Sequence, residues 1–218
     1  MTIKHHISDE LLFEYATGAL EEGWSMAVAT HLALCPHCRQ RLSCMEDTGG
    51  ALLEALPNTA SASDASWAAL RARLNAPKPA PKSETVQKAS SPVFPQPLRD
   101  YIGADMDQLK WKPLGLGAYH YPIRTGNPDI YVRLLRIPAG KPVPEHSHRG
   151  RELTLVLKGS FRDHNGHFGR GDFEETDETI EHQPIASAGE DCICLAVTDA
   201  PLRFKSRIVR FIQPILGI

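Results

Sequence analysis

The 218-residue chain lacks any apolar run approaching the roughly 18 residues that a membrane span needs. Its amino terminus also lacks a basic patch followed by an apolar stretch, and carries two histidines and then acidic residues, so no secretory leader is expected. Both absences point to a cytoplasmic protein with no membrane partner. Cysteine is scarce and odd in number, five in all, which with the histidines beside it argues for thiols or metal ligands rather than a disulfide framework. Strong charge of either sign is missing overall, the net being −2. Basic residues are sparse at the front: residues 1–75 hold five Lys/Arg against nine Asp/Glu, while residues 98–218 hold sixteen of each. An acidic front repels phosphate backbones and favours a basic protein surface as partner, so direct nucleic-acid binding and a zinc-finger DNA reader are disfavoured. No internal repeat of solenoid length is present.

What the chain does have begins with His31-Leu-Ala-Leu-Cys35-Pro-His-Cys38. His31 and Cys35 stand four apart, one turn of a helix on one face, and the Cys-x-x-Cys step returns Cys38 to the same point. Thiolate and imidazole in this spacing suit tetrahedral zinc. A closed site needs a fourth ligand, for which His5 and His6 are the upstream candidates with His6 favoured, and His37 between the cysteines is a further alternative.

Around that site the apolar spacing predicts about four short helices in residues 1–75. The first is capped by Ser8 and carries Leu11, Leu12 and Tyr15. A second bears Trp24, Val28, His31 and Leu32 up to a boundary at Pro36. A third runs from there to just before Pro57, and a fourth, capped by Ser63 or Asp64, carries Trp67, Leu70 and Leu74. A core this small is expected to rely on the metal as a staple. Residues 76–97, rich in proline with Ala, Ser and Lys, read as a semi-rigid linker. From 98 to 218 period-two segments replace helices: 130–137, 153–157 and 192–197 read as strands and Asn165-Gly166 as a hairpin, which together indicate a β-sandwich or barrel.

A second constellation lies in this β region. His146 and His148 share a strand face, Glu152 opens the next strand, and His182 follows Gly171-Asp172 by a fixed interval, so three imidazoles and a carboxylate can converge on zinc, iron, manganese or nickel. Cys192 and Cys194 also share a strand face, either as small core residues or as an oxidation-sensing pair. Cys44 is expected to pack, His120, His164 and His167 to lie on the surface, and Glu174, Glu175, Asp177 and Glu178 to form a solvated loop.

The stretch from Gly140 to Gly159, with His146, His148 and Glu152 at their spacings, resembles the first motif of the cupin superfamily. Gly171-Asp172 and His182 resemble the second, with Asp177-Glu-Thr179 where Pro-x-Gly is usual and Ala186 where Asn is usual. The early histidine followed by His-x3-Cys-x2-Cys is similar to the zinc-binding domain of bacterial anti-sigma factors, and the two domains in this order resemble the ChrR family. That resemblance implies a two-domain α + β protein, a zinc helical domain followed by an all-β cupin barrel. It implies zinc held by His6, His31, Cys35 and Cys38 and a second zinc held by His146, His148, Glu152 and His182. The function implied is a regulator without turnover, which binds an extracytoplasmic-function sigma factor one to one and releases it under singlet-oxygen or organic-peroxide stress. The competing reading is a metal-dependent cupin enzyme, a dioxygenase or isomerase, with a regulatory zinc domain.

Overall fold

The computed structural model describes residues 2–57, 63–76 and 92–205. Four helices open the chain, α1 (Asp9–Ala16), α2 (Glu22–Leu34), α3 (Pro36–Glu54) and α4 (Asp64–Leu74). Ser8 caps α1 by accepting from the Leu11 N–H, and Ser63 caps α4 from the Ser66 N–H. Pro36 occupies the first turn of α3, where its missing N–H costs nothing. A short α5 (Gln96–Ile102) and a single 3-10 turn (Met106–Gln108) lead into the strands. The expected linker is partly structured, because Asp105 accepts from the Val93 and Phe94 N–H groups and Phe94 and Leu98 are buried. Its residues 77–91 lie outside the described residues.

Twelve strands follow among the described residues: β1 (Lys112–Gly115), β2 (Ala118–Ile123), β3 (Tyr131–Ile137), β4 (His146–Ser147), β5 (Glu152–Lys158), β6 (Ser160–Arg162), β7 (His167–Gly169), β8 (Phe173–Thr176), β9 (Glu181–His182), β10 (Ile185–Ala186), β11 (Cys192–Thr198) and β12 (Arg203–Phe204). They pair antiparallel into one large sheet, in the order β1-β2-β3-β11-β5-β8, and two small ones, β10-β6-β7 and β12-β4-β9. The β6–β7 hairpin is the one signalled by Asn165-Gly166, its turn closed by the Asp163 N–H donating to the Gly166 carbonyl.

Every residue of β11 is buried, because both faces of the large sheet are covered. Leu153, Leu155 and Leu157 of β5 and Ile193, Leu195 and Val197 of β11 share one core with Leu11, Leu12, Val28 and Leu32 of α1 and α2. The alternate residues, Val156, Cys192 and Cys194, join a second core with Phe161 and Phe168. Helix α2 approaches the sheet through Gly23, where a methyl group would come within 2.7 Å of Ile130 and 2.8 Å of Val132.

Among the described residues, those up to Met45 and those from Pro92 onward form one compact unit, and those between Glu46 and Ala76 belong to another. Leucines on the outer face of β5 and β11 need apolar partners, and α1 and α2 supply them. In the other unit Leu52, Leu53, Leu56, Trp67, Leu70 and Leu74 are all exposed. No helix among the described residues is long and apolar enough to cross a membrane.

Candidate metal centres

His31 lies on the buried face of α2, Cys35 at its end and Cys38 in the first turn of α3. His6 reaches them from the segment before α1. One donor atom from each of these four residues lies within 4.8 Å of all the others. The His6 Nδ1 is 3.3 Å from the Cys35 Sγ and 3.6 Å from the Cys38 Sγ. Zn–N and Zn–S bonds of about 2.0 and 2.3 Å at tetrahedral angles place such atoms about 3.6 Å apart. Neither His5, whose ring packs on Phe168 at 4.2 Å, nor His37, beside the His6 ring at 4.4 Å, belongs to the cluster.

The same cluster holds buried polar atoms without a hydrogen-bond partner, which a cation would satisfy. Both ring nitrogens of the buried His31 lack a partner of acceptable hydrogen-bond geometry, although the Gly171 backbone is near enough to act on its charge. Burial dominates, and the His31 pKa falls to about 4, keeping the ring a neutral ligand. Burial raises the Cys38 thiol, against the hydrogen bond from the Ile7 backbone and the nearby Arg41 charge, which favour its thiolate as a bound cation would. The Cys38 N–H donates to the Cys35 Sγ at 3.4 Å, fixing that sulfur's direction.

The second cluster sits between the large and small sheets. His146 of β4 is registered directly opposite His182 of β9, and His148 follows two residues on. The Nδ1 of His146 is 2.8 Å from the Pro144 carbonyl, and that of His182 is 2.8 Å from Asp163 Oδ2. Those partners can only accept, so each Nδ1 carries the proton and each Nε2 a lone pair. Yet the two Nε2 atoms lie 3.2 Å apart, and the Nε2 of His148 lies 3.2 Å from that of His182. Lone pairs facing one another at that distance call for a cation between them, and M–N bonds of about 2.1 Å place neighbouring nitrogens roughly 3.0–3.4 Å apart. Burial pushes the His146 pKa down to about 4, which favours metal over proton.

Glu152 borders this cluster. The three histidines form the cluster without it, and its carboxylate instead lies 2.8 Å from the other ring nitrogen of His148, unaligned for a hydrogen bond. Burial raises its pKa, but His148 and then the other two imidazoles overcome that and leave it below the ordinary value. Asp163, whose fully covered side chain orients His182, is a partner that the motif spacings do not reveal. Its place in the Asn165-Gly166 turn gave no sign of a metal role.

Three further expectations are corrected. Glu174 and Glu175 are strand residues of β8, not a solvated loop, although Asp177 and Glu178 are exposed. Glu174 is buried, and burial followed by the neighbouring Asp163 charge raises its pKa to about 8. Asp177 forms the turn before His182, its carboxylate accepting from the Thr179 N–H and hydroxyl, which replaces the usual Pro-x-Gly with an Asx turn. His120 is buried on β2, and Cys44 is exposed on α3, while His164 and His167 are exposed as expected. Cys192 and Cys194 do share a face, with sulfurs 3.5 Å apart, and Cys192 followed by burial raises the Cys194 thiol well above its ordinary value.

A family model described as the ChrR cupin-like domain matches residues 100–201. Over 220 aligned residues, all of both chains, the protein is 46% identical to the anti-sigma-E factor ChrR of Cereibacter sphaeroides. The chain belongs to the ChrR family. Its fold is likewise similar to the crystal structure of Rhodobacter sphaeroides SigE in complex with the anti-sigma ChrR. That match has a TM-score of 0.78 and 43% identity, covering 90% of this chain and 99% of that one. Within the ChrR family frame, the two clusters fall at the two ends of one compact unit's sequence, one before Met45 and one after Pro92.

Proposed function

We propose that this protein is a cytoplasmic anti-sigma factor that binds its own extracytoplasmic-function sigma factor one to one and holds it inactive. Full-length similarity to a ChrR anti-sigma factor carries the reading. The exposed apolar side chains of α3, α4 and the residues just after α3 support it, since Leu52, Leu53, Leu56, Trp67, Leu70 and Leu74 together leave a large amount of apolar surface uncovered. Domain 1–75 supplies the grip and the β domain from 98 onward governs release under singlet-oxygen or organic-peroxide stress.

His6, His31, Cys35 and Cys38 hold a structural zinc that locks the segment before α1 to the α2–α3 junction. His146, His148 and His182, with Glu152 as the fourth donor, hold the second ion, which the reading takes as zinc. An ion held there by these residues would supply Lewis-acid polarisation to a group in the chamber beside it. Cys192 and Cys194 are the oxidisable pair of the same chamber, where one thiol can take an oxygen atom from a hydroperoxide, leaving the alcohol and a sulfenic acid.

The test is transcription by core polymerase and the cognate sigma factor with the intact, metal-replete chain added. Stoichiometric inhibition is expected. It should weaken at least tenfold, about 1.4 kcal/mol, in Trp67→Ala and be lost in Cys35→Ala. Undiminished transcription at excess protein would sink the proposal. Metal analysis separates the alternative enzyme, a dioxygenase or isomerase, because iron or manganese in the second site would favour it over zinc.

A further inference from the structure

Beside the second metal cluster and its cysteine pair lies a larger cavity to which the anti-sigma reading assigns no ligand. It is a cavity of about 360 Å³ between β3, β11 and the β1–β2 turn, within the size range of small-molecule sites. Its walls are apolar, including Leu135 and Ala196, with Glu152 at one end. A smaller space of about 70 Å³ continues from there, sharing Leu135 and Glu152 and reaching His146 and His182.

Two features show that the larger cavity is built rather than left over. The first is Arg133. It belongs to the alternate set on β3 whose neighbours Val132 and Leu134 pack outward in the main core, so its guanidinium lines the cavity. Among the described residues it has no hydrogen-bond or ion-pair partner. Burial lowers its pKa, with Glu152 the main opposing influence. Lys141 adds a second cation to the lining. A half-buried guanidinium without a carboxylate on it is a standing invitation to an anion.

The second feature is the rim. Gly115, Leu116 and Gly117 all have positive φ, at 91°, 53° and 81°. The left-handed region is costly for leucine, yet this turn holds Leu116 there, 79% exposed and lining the cavity mouth. An apolar side chain held at such expense over an opening supplies a contact for something that enters it.

We propose that this cavity binds an aliphatic monocarboxylate, with its carboxylate on Arg133 and its chain along the apolar walls under Leu116. At ~30 Å³ per water-sized group the space takes a chain of about eight to twelve carbons. The charge balance rests on the proposed second ion, which neutralises Glu152 and leaves Arg133 and Lys141 as the uncompensated charges.

The test is calorimetric titration of the intact, metal-replete chain with decanoate, 1-decanol and acetate, with metal content measured on the same sample. Decanoate should saturate at one per chain, 1-decanol should bind at least tenfold more weakly, and acetate should give no signal. Arg133→Met should abolish the preference for decanoate over decanol, and Leu116→Asp, at an exposed position, should weaken both. Absence of saturable decanoate binding would overturn the proposal, as would equal binding of acid and alcohol. Unchanged decanoate affinity in Leu116→Asp would do the same even if Arg133→Met failed to fold. Metal content bears separately on the histidine cluster, so a chain with zinc in place and no decanoate bound refutes the ligand and leaves the metal reading standing.

Discussion

Asp163 illustrates how much one carboxylate outside a ligand set can decide. Its hydrogen bond to the Nδ1 of His182, at 2.8 Å, fixes the tautomer that turns the Nε2 lone pair toward His146 and His148. Partners of this kind typically contribute 10–100-fold to metal affinity. If the proposed ions are bound, Asp163→Asn should therefore weaken the one at His146, His148 and His182 by about that factor and leave the one at His6, His31, Cys35 and Cys38 in place. Competition against a chromophoric chelator reads both sites, and equal loss from the two would show a general unfolding instead. The gathering of His31, Cys35 and Cys38 and of His146 and His148 was legible because it is written in short spacings, whereas His6 and His182 come from farther away in the chain. Asp163 was not, since its link to His182 spans nineteen residues and a turn aspartate is ordinary in a hairpin.

Strand β8 connects the two clusters more directly than any other element. Asp172, just before it, accepts from the Lys4 and His5 N–H groups at 2.6 and 2.9 Å. The Phe173 N–H donates to the His5 carbonyl, and its ring stands edge-on to His31 at 5.4 Å. Glu175 accepts from the Ser8 N–H and hydroxyl, while Glu174 faces the opposite way, toward Asp163 and His182. One side of β8 thus grips the segment bearing His6 and the other borders the histidine cluster. Hydrogen bonds to a buried charge are worth about 1.5–3 kcal/mol, so Asp172→Ala should speed zinc loss from the front site, measured with a thiol-insensitive zinc dye. An unchanged rate would mean that His6 is held by the metal alone. At α2, Gly23→Ala should cost about 1–3 kcal/mol by overpacking against Ile130 and Val132, seen as a lower denaturation midpoint. The helices of the first 75 residues were readable because their caps and apolar period are local signals. The role of β8 was not, because Glu174-Glu175 looks like a solvated acidic run until the positions that oppose it are known.

For the whole molecule, α1, α2, β5 and β11 share one core. Leu153-Thr-Leu-Val-Leu157 announced a strand, but nothing local in it says which face meets solvent, and here neither does. Hydrogen exchange on the intact chain should find α1, α2, β5 and β11 opening together with one free energy. An earlier, separate opening of α1 and α2 would contradict the shared core. The grip of Asp172 on Lys4, 168 residues apart in sequence, also carries a consequence for birth order. At about 5–20 residues per second on the ribosome, His6 emerges roughly ten to thirty seconds before the carboxylate that fastens its neighbours is even synthesised. A nascent chain therefore spends that interval with its leading histidine untethered, and the front cluster is fastened only once β8 has been made.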